Sequence, residues 1–221
     1  MTFEEKISLI RYELQKTLPG QKLQYIMAPE FRTSPDLSSP DKKAAVMICI
    51  FPEDQDFQIV FIKRSEYDGP HGGQVSFPGG VFETTDKDLE ETAIRETREE
   101  IGLSFEKSAI LGALTPLVIP ISKMHVQPFV GYYSLKPVFS IDKREVEYLI
   151  ITSLSELLNP LCIKKENWLL HGMEIQVPFY RINESIIWGA TAMILSEFLA
   201  VISGSGLYPQ IQYSGNDRTD T

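Results

Sequence analysis

The chain has 221 residues, and its hydrophobic content of 43% is ordinary for a globular protein with a sizeable core. Its 30 acidic residues outnumber 21 lysines and arginines, so the formal net charge is −9. This balance argues against general binding to nucleic acid or to an anionic membrane. An anionic substrate would need local positive charge, from a metal ion or from basic side chains at the site. The N-terminus carries Glu4 and Glu5 and no apolar segment typical of a secretory signal, so we expect a cytoplasmic protein.

The first 43 residues predict a helix followed by an arm. Thr2 and Glu5 have the spacing of a capping box, and apolar residues then recur at helical spacing as far as Leu14. Pro19-Gly20 ends this helix. Residues 21–43 contain three prolines and many polar residues, so we interpret them as an arm that crosses the surface and not as a separate domain.

The rest of the chain mixes strands and helices. Ala44–Phe51 is a continuous apolar run, which is typical of a buried strand, and Phe57–Lys63 predicts a second strand. The next predicted elements are a loop at Arg64–His71, a short strand at Val75–Phe77 and a central helix that ends at Gly102. Two strands follow, at Ala109–Thr115 and Val126–Tyr133, and the loop between them at Pro116–His125 is expected to rim the site. The last predicted elements are a strand that begins at Glu145, a short helix at Leu154–Leu158, a hairpin around His171-Gly172, an extended segment at Tyr180–Ile187 and a helix at Trp188–Ser203. Polar residues from Tyr208 onward predict a mobile tail. Both cysteines lie in apolar surroundings and are expected to be reduced core thiols.

Three glutamates on one face of the central helix are the most informative pattern. Apolar residues recur every four positions from Leu89 to Ile101 and predict a buried face, while Glu96, Glu99 and Glu100 share another face. Like charges at these spacings repel by about 0.2–0.5 kcal/mol per pair. One interpretation is a solvated face whose arginines pair with the glutamates. The other is a divalent cation, because Mg²⁺ takes carboxylate oxygens, substrate phosphate and water. The glycines of the preceding Pro-Gly-Gly loop let a backbone carbonyl or amide approach a metal ion or a phosphate closely.

Residues 95–103 carry a family resemblance. Their sequence, RETREEIGL, resembles the second half of the Nudix box, G-x5-E-x7-R-E-U-x-E-E-x-G-U, in which U is aliphatic. Thr97 stands where an aliphatic residue is usual. The sixth residue after Gly80 is Asp86 instead of Glu, eight residues instead of seven separate it from Arg95, and Lys87 occupies the strictly spaced Glu position.

The segment before the box narrows the resemblance. Residues 61–80, with the sequence FIKRSEYDGPHGGQVSFPGG, resemble the signature of the coenzyme A pyrophosphatase branch of Nudix hydrolases, roughly L-L-T-x-R-S, a spacer, then H-x-G-Q-x-x-F-P-G-G. Members of that branch often carry the longer spacing and an Asp at this box position. Lys63 stands where Thr is usual in the branch.

The resemblance implies a fold, a domain organisation and a metal site. The implied fold is a Nudix-type α/β/α sandwich around a mixed, partly antiparallel sheet, with the Nudix domain at residues 44–207 and a flexible tail at 208–221. By resemblance, Mg²⁺ or Mn²⁺ is held by Glu96, Glu99, Glu100 and the Gly80 carbonyl, while Arg95 orients the carboxylates. The general base is one of the box carboxylates or a Glu outside the box, for which Glu145 is the candidate. A solvated glutamate at a strand end is the favoured alternative for that residue.

Four residues outside the helix are candidates for substrate binding. Lys63 and Arg64 leave a strand end toward the expected mouth of the site, where they would contact substrate phosphates or form ion pairs with neighbouring carboxylates. His71 and Gln74 match the branch signature and would bind the substrate or anchor their loop.

The implied reaction is hydrolysis of a nucleotide diphosphate. In the coenzyme A branch, coenzyme A or acyl-coenzyme A would give 3′,5′-ADP and (acyl-)4′-phosphopantetheine. Two alternatives stay open, namely another nucleoside diphosphate derivative such as NADH or ADP-ribose, and a non-catalytic domain that senses a nucleotide. The expected partner is the small-molecule substrate, with no nucleic acid and no membrane, and the N-terminal helix and arm would suit a homodimer.

Overall fold

The computed structural model describes residues 1–30, 32, 42–66, 71–170 and 172–210, which form two sheets and five α-helices. The helices are α1 (Phe3–Leu14), α2 (Gln21–Gln24), α3 (Leu89–Ile101), α4 (Leu154–Leu157) and α5 (Gly189–Gly204). The strands are β1 (Lys42–Glu53), β2 (Asp56–Arg64), β3 (Val75–Ser76), β4 (Gly79–Val81), β5 (Ile110–Ala113), β6 (Leu117–Ile119), β7 (Met124–Tyr132), β8 (Val146–Ser153), β9 (Ile163–Leu170), β10 (Met173–Ile182) and β11 (Ser185–Trp188).

Strand β1 lies at the centre of an eight-stranded mixed sheet. It pairs antiparallel with β2 along Cys49–Glu53, and it runs parallel to β7 from Lys42 to Ile50. The short strand β4 also pairs with β1, which places Gly80 opposite Ala45. The path through the sheet is β3-β2-β1-β7-β5, with β8 on β2 and β6 on β7. The prediction of a mixed, partly antiparallel sheet is confirmed.

Alternating side chains of β1 build the core on both faces of this sheet. Met47 and Cys49 pack with α3 on one face, whereas Ile48 and Ile50 pack with α1 and α5 on the other. Successive side chains of a strand point in opposite directions. Because helices cover both faces of the sheet, β1 buries its side chains on both sides and needs a run without polar residues. The result is the predicted α/β/α sandwich. Both cysteines are buried free thiols, as expected from their apolar surroundings.

The second sheet contains three strands, β9, β10 and β11. The predicted hairpin is confirmed, since β9 and β10 pair antiparallel and meet at Leu170 and Met173; His171 itself lies outside the described residues. The predicted continuous extended segment at Tyr180–Ile187 is wrong. Asn183 adopts a φ of 51°, and the chain turns there so that β11 folds back on β10. Asn tolerates this left-handed conformation better than most residues.

Two other predictions for connecting segments need correction. The loop predicted at Pro116–His125 contains the strand β6, in which Leu117 is buried and pairs with Val126, followed by one 3₁₀ turn at Pro120–Ser122. The mobile tail predicted from Tyr208 does not fit Tyr208 itself, because the Tyr208 hydroxyl donates a hydrogen bond to Asp56. The tail residues 211–221 lie outside the described residues, as do residue 31 and residues 33–41 of the predicted arm and 67–70 of the predicted loop. Among the described residues, no helix has both the length and the apolar character needed to cross a membrane.

Candidate active site

Helix α3 is held in place by its two ends and by one buried face. Its N-terminus is capped by the Asp88 carboxylate, which accepts a hydrogen bond of 2.8 Å from the Glu91 amide. It ends at Gly102, whose φ of 76° is the left-handed conformation predicted for that glycine. The buried Thr97 hydroxyl donates to the Ala93 carbonyl at 2.6 Å, so this position carries a polar residue without leaving it unsatisfied.

The strand β4 brings two glycines directly against the carboxylates of α3. The Gly79 amide donates to Glu100 Oε2 at 2.8 Å. A side chain at Gly80 would come closer than 3.0 Å to the Glu96 carboxylate, so only glycine leaves room for this carboxylate against the strand. Gly79 has a φ of 151°, and a side chain there would collide with the Ala45 carbonyl of β1. The Pro-Gly-Gly segment therefore permits a close approach of backbone and carboxylates, whereas its predicted approach to a metal ion or phosphate stays a prediction.

Arg95 is the centre of the polar network on α3. It donates to both oxygens of Asp86, from Nε at 2.9 Å and from Nη2 at 3.0 Å. Its Nη1 donates to Glu96 at 2.9 Å and to Glu99 at 3.1 Å, and Nη2 also reaches the Val81 carbonyl at 3.1 Å. Arg95 thus contacts the carboxylates that it was expected to orient. The carboxylates that accept from Arg95, Asp86 above all and then Glu96, hold the pKa of the guanidinium well above its usual range.

Asp86 holds the other edge of the Arg95 guanidinium. The helical periodicity of α3 alone does not predict this contact. Besides the two bonds from Arg95, its carboxylate accepts from the Glu83 amide at 3.0 Å and from the Thr92 hydroxyl at 2.9 Å. The hydrogen bonds from Arg95 are the main reason that the pKa of Asp86 lies well below its usual range. The departure from the common box spacing therefore places a buried carboxylate on Arg95, and the signal for it was the Asp that the branch resemblance implies at this position.

Glu100 is the most buried carboxylate of the cluster, with a side chain only 1% exposed. Its Oε1 lies 3.3 Å from Nη1 of Arg64. The pKa of Glu100 is raised to about 8, mainly by burial; the Gly79 hydrogen bond and the Arg64 charge oppose this rise, and the negative charges of Glu96 and Glu145 add to it. Burial also raises the pKa of Glu96. The cluster is therefore costly to keep fully ionised without added positive charge.

Glu145 lies outside the helix but close to the cluster. It is exposed and directly precedes β8, and its backbone carbonyl accepts from the Ser65 amide at 2.9 Å. Its negative charge is near enough to add to the raised pKa of both Glu96 and Glu100. Glu145 thus acts on the box carboxylates through its charge, from another element of the fold.

The four candidates for substrate binding separate into two groups. Arg64, His71 and Gln74 line a cavity of about 1200 Å³ that also reaches Gly79 and Gly80. His71 Nδ1 lies 3.4 Å from Gln74 Oε1, so these two side chains hold one another in place at the edge of the cavity. Lys63 points elsewhere, and its ammonium donates to the Gly73 carbonyl. The structure thus places Arg64 at the cavity and Lys63 on the loop.

The donor types at this site fit a divalent cation, although the described side chains are engaged by arginines. Glu96, Glu99 and Glu100 offer carboxylate oxygens beside the Gly80 backbone, and such oxygens are the ligands that Mg²⁺ and Mn²⁺ prefer. Within the described ranges, no three His, Cys, Asp or Glu side chains surround one point suited to a metal ion. Arg95 instead bridges Glu96 and Glu99. Because Gly80 has no side chain, the Glu96 carboxylate lies directly against its backbone. This contact is the feature that best fits a cation bound between a side chain and the backbone.

The apolar part of the cavity wall was not predicted from the sequence. It is formed by side chains from the β6–β7 connection, β11 and α5, namely Ile119, Ile121, Met124, Trp188 and Ile194. The predicted loop at Pro116–His125 was expected to rim the site, but the character of the rim depends on the strand β6 within it. The fold and the site together define an α/β/α sandwich in which the glycines of β4 lie between the carboxylates of α3 and a large cavity.

Comparisons with known proteins identify the family. The model of the NUDIX domain matches residues 41–166. The chain is 33% identical over 211 residues to Nudix hydrolase 22, chloroplastic, of Arabidopsis thaliana, with 91% of this chain and 67% of the relative covered. It is 33% identical over 163 residues to a protein of Photorhabdus laumondii called Uncharacterized Nudix hydrolase NudL, with 73% and 85% covered. A solved MutT/nudix family protein from Enterococcus faecalis has a TM-score of 0.52 at 12% identity, covering 92% of this chain and 80% of that one, which shows the fold alone.

The chain belongs to the Nudix family and is a Nudix hydrolase. Its general reaction is therefore pyrophosphohydrolysis of a nucleoside diphosphate linked to another moiety. Enzymes of this family generally use a divalent cation such as Mg²⁺ or Mn²⁺.

Proposed function

We propose that this protein is a metal-dependent pyrophosphohydrolase of coenzyme A or its acyl derivatives, which releases 3′,5′-ADP and (acyl-)4′-phosphopantetheine. The observation that carries the proposal is that one strand, with Gly79 and Gly80, lies against the carboxylates of Glu96 and Glu100 and also lines a cavity of about 1200 Å³. A scissile diphosphate at this strand would have carboxylates on one side and room for both of its substituents on the other.

In this proposal Glu96, Glu99, Glu100 and the Gly80 carbonyl hold Mg²⁺ or Mn²⁺. When bound, the cation withdraws charge from phosphoryl oxygens and lowers the pKa of an attacking water. Arg95 keeps the carboxylates of Glu96 and Glu99 together through its Nη1 group. Its other donors are fixed on Asp86, so the guanidinium cannot turn away from the helix.

Glu145 is the candidate for the general base in this site. It is exposed, so water reaches it, and its charge acts on both Glu96 and Glu100 from a separate element. The alternative is a solvated glutamate that only adds to the local negative charge. The Glu145→Gln variant separates the two. A base gives a large fall in kcat with little change in KM, whereas a solvated residue leaves kcat within about two-fold of wild type.

The polar end of the cavity supplies the groups that would contact the substrate phosphates. Arg64 lines the cavity while it contacts Glu100, so its guanidinium is shared between the carboxylate cluster and any bound anion. His71 and Gln74 line the same end and offer a ring nitrogen and an amide. In a protein with a net charge of −9, these local groups must offset the unfavourable overall field for an anionic substrate.

The choice of coenzyme A among nucleoside diphosphate substrates rests on the branch signature at residues 61–80 and on the size of the cavity. A volume of about 1200 Å³ exceeds the roughly 300–1,000 Å³ usual for small-molecule sites. A substrate with a long second substituent suits this space better than a compact nucleotide does. Another nucleoside diphosphate derivative, such as NADH or ADP-ribose, stays the competing substrate.

The test is incubation of the purified protein with coenzyme A and Mg²⁺ or Mn²⁺, followed by chromatography for 3′,5′-ADP. We expect release that stops when a chelator is added. The Glu99→Gln and Glu100→Gln variants should lose turnover by orders of magnitude, while Glu90→Gln, a matched change on the same helix outside the cluster, should not. Release from ADP-ribose or NADH but not from coenzyme A would refute the substrate. Normal turnover of both Glu99→Gln and Glu100→Gln would refute the metal assignment.

A further inference from the structure

The cavity has two chemically different ends. Arg64, His71 and Gln74 form the polar end beside the glycine strand. The other end, which we call the apolar wall, consists of Ile119, Ile121, Met124, Trp188 and Ile194. An amphipathic ligand matches this division, with its charged group at the glycine strand and an apolar group on the wall.

The apolar wall is held by the fold and is not a chance contact of surface side chains. Ile119 and Met124 are directly paired where β6 meets β7. Helix α5 is tied to the polar end, because the Thr191 hydroxyl donates to the Val75 carbonyl at 3.0 Å. Thr115, just before β6, donates to the buried Glu197 of α5 at 2.6 Å, which fixes the two parts of the wall to each other. The wall is therefore formed before any ligand arrives.

Several side chains of the wall still have apolar surface to lose. Ile121 is 62% exposed, and Ile119, Met124 and Trp188 are only partly buried. A ligand that covers them removes this surface from water, which favours binding by about four-fold for each methylene group buried. The isoleucine and methionine side chains offer no hydrogen-bond donors and only the weak thioether acceptor. They therefore suit a hydrocarbon chain better than a nucleobase, whose edges need polar partners.

We infer that the apolar wall binds an aliphatic chain carried on the non-nucleotide side of the diphosphate substrate. The enzyme then selects substrates with a long acyl chain over those with a short acyl chain or none. This inference rests on the proposed function, and it assigns chain selectivity to Ile119, Ile121 and Met124. The cavity accommodates both parts of such a ligand, since it runs without interruption from Gly79–Gly80 to the wall.

The experiment compares acetyl- and octanoyl-coenzyme A, which carry the same charge and differ by six methylene groups. We expect kcat/KM to be at least about ten-fold higher for the octanoyl compound, a fraction of what full burial of six methylenes would give. In Ile121→Asp this octanoyl-to-acetyl ratio should fall toward one. Leu169→Asp is the matched control, because Leu169 is 77% exposed, does not line the cavity and receives the same change. Its ratio should stay that of wild type.

Direct binding in the presence of a chelator separates this inference from the proposed function. Calorimetry should show tighter binding of octanoyl- than of acetyl-coenzyme A, and Ile121→Asp should remove the difference. If the chain preference in binding is present but no diphosphate is hydrolysed, the wall is correct and the proposed reaction is wrong. If both compounds are hydrolysed with equal kcat/KM, or if Ile121→Asp keeps the wild-type ratio, the reaction stands and the assignment of the wall is wrong.

Discussion

Replacing Asp86 with Asn should destabilise the protein strongly, because this carboxylate is the buried partner of Arg95. The side chains of Asp86 and Arg95 are only 3% and 15% exposed, and two hydrogen bonds of 2.9 and 3.0 Å join them. Asn is similar in size but neutral, and its NH₂ group would face either Arg95 or the donors of Glu83 and Thr92. Removing one member of a buried ion pair costs about 3–5 kcal/mol, and Arg95 would keep Glu96 and Glu99 as partners only through its Nη1 group. We expect a loss in this range for Asp86→Asn.

Urea unfolding of the metal-free protein measures this loss, with Glu83→Gln as the control. Glu83 is 61% exposed and lies 3.9 Å from Arg95, so its substitution should change the free energy of unfolding by less than about 1 kcal/mol. The pH dependence gives a second readout. Because Arg95 lowers the folded-state pKa of Asp86, its contribution is present above the unfolded value near 3.9 and is lost as the pH falls through the folded pKa. Asp86→Asn should therefore flatten the acid limb. Equal stability of the Asp86→Asn and Glu83→Gln variants would refute the reasoning.

Four other predictions test other parts of the structure. Because the pKa of Glu100 rises from 4.5 to about 8, the metal-free protein should lose stability as the pH increases between these values, and Glu100→Gln should remove that loss. Because Glu100 must lose its proton to bind a cation, Mn²⁺ binding should release about one proton at pH 7, and its affinity should increase about ten-fold from pH 6 to pH 7. Calorimetry in two buffers measures both effects, and pH-independent binding would contradict the prediction. Gly80→Ala should lower kcat at least about ten-fold with little change in Tm, because the new Cβ displaces the Glu96 carboxylate, whereas Gly204→Ala, whose Cβ has space, should leave kcat unchanged. Glu197→Ala should cost about 3 kcal/mol or more in urea unfolding, because Thr115, Gly20 and Gln24 lose a buried acceptor, and a loss below about 0.5 kcal/mol would argue against this role.

The main elements of the fold were predictable because their sequence patterns are long. The apolar run of β1 and the periodic face of α3 each extend over several residues, and only a buried strand and a packed helix satisfy them. Strand β6 was missed because it has three residues between two prolines, and its pairing with β7 is a long-range contact. The turn at Asn183 has no glycine, so the extended pattern on either side hid it.

The candidate site was predictable only where a single element fixes the geometry. Glu96, Glu99 and Glu100 share a face of α3 because the helical period requires it. Lys63 and Arg64 show the limit of such reasoning. They are adjacent at the end of β2, where the pairing with β8 shifts its register between them, and Arg64 reaches Glu100 while Lys63 binds the Gly73 carbonyl. The apolar wall joins β7, β11 and α5, and no local pattern relates elements so distant in sequence.

The charges around Arg95 explain why the described network is compatible with a cation. Asp86, Glu96, Glu99 and Glu100 carry four negative charges when ionised, and Arg64 and Arg95 carry two positive charges. Two negative charges remain among these side chains and the nearby Glu145 adds a third, so the site has an excess of negative charge that a divalent cation would largely neutralise. Asp86 occupies Nε and one Nη of Arg95, so Glu96 and Glu99 share the single remaining Nη1. Arg95 therefore holds these carboxylates together without neutralising both. This is the arrangement expected if the arginine positions ligands and the cation supplies the missing charge.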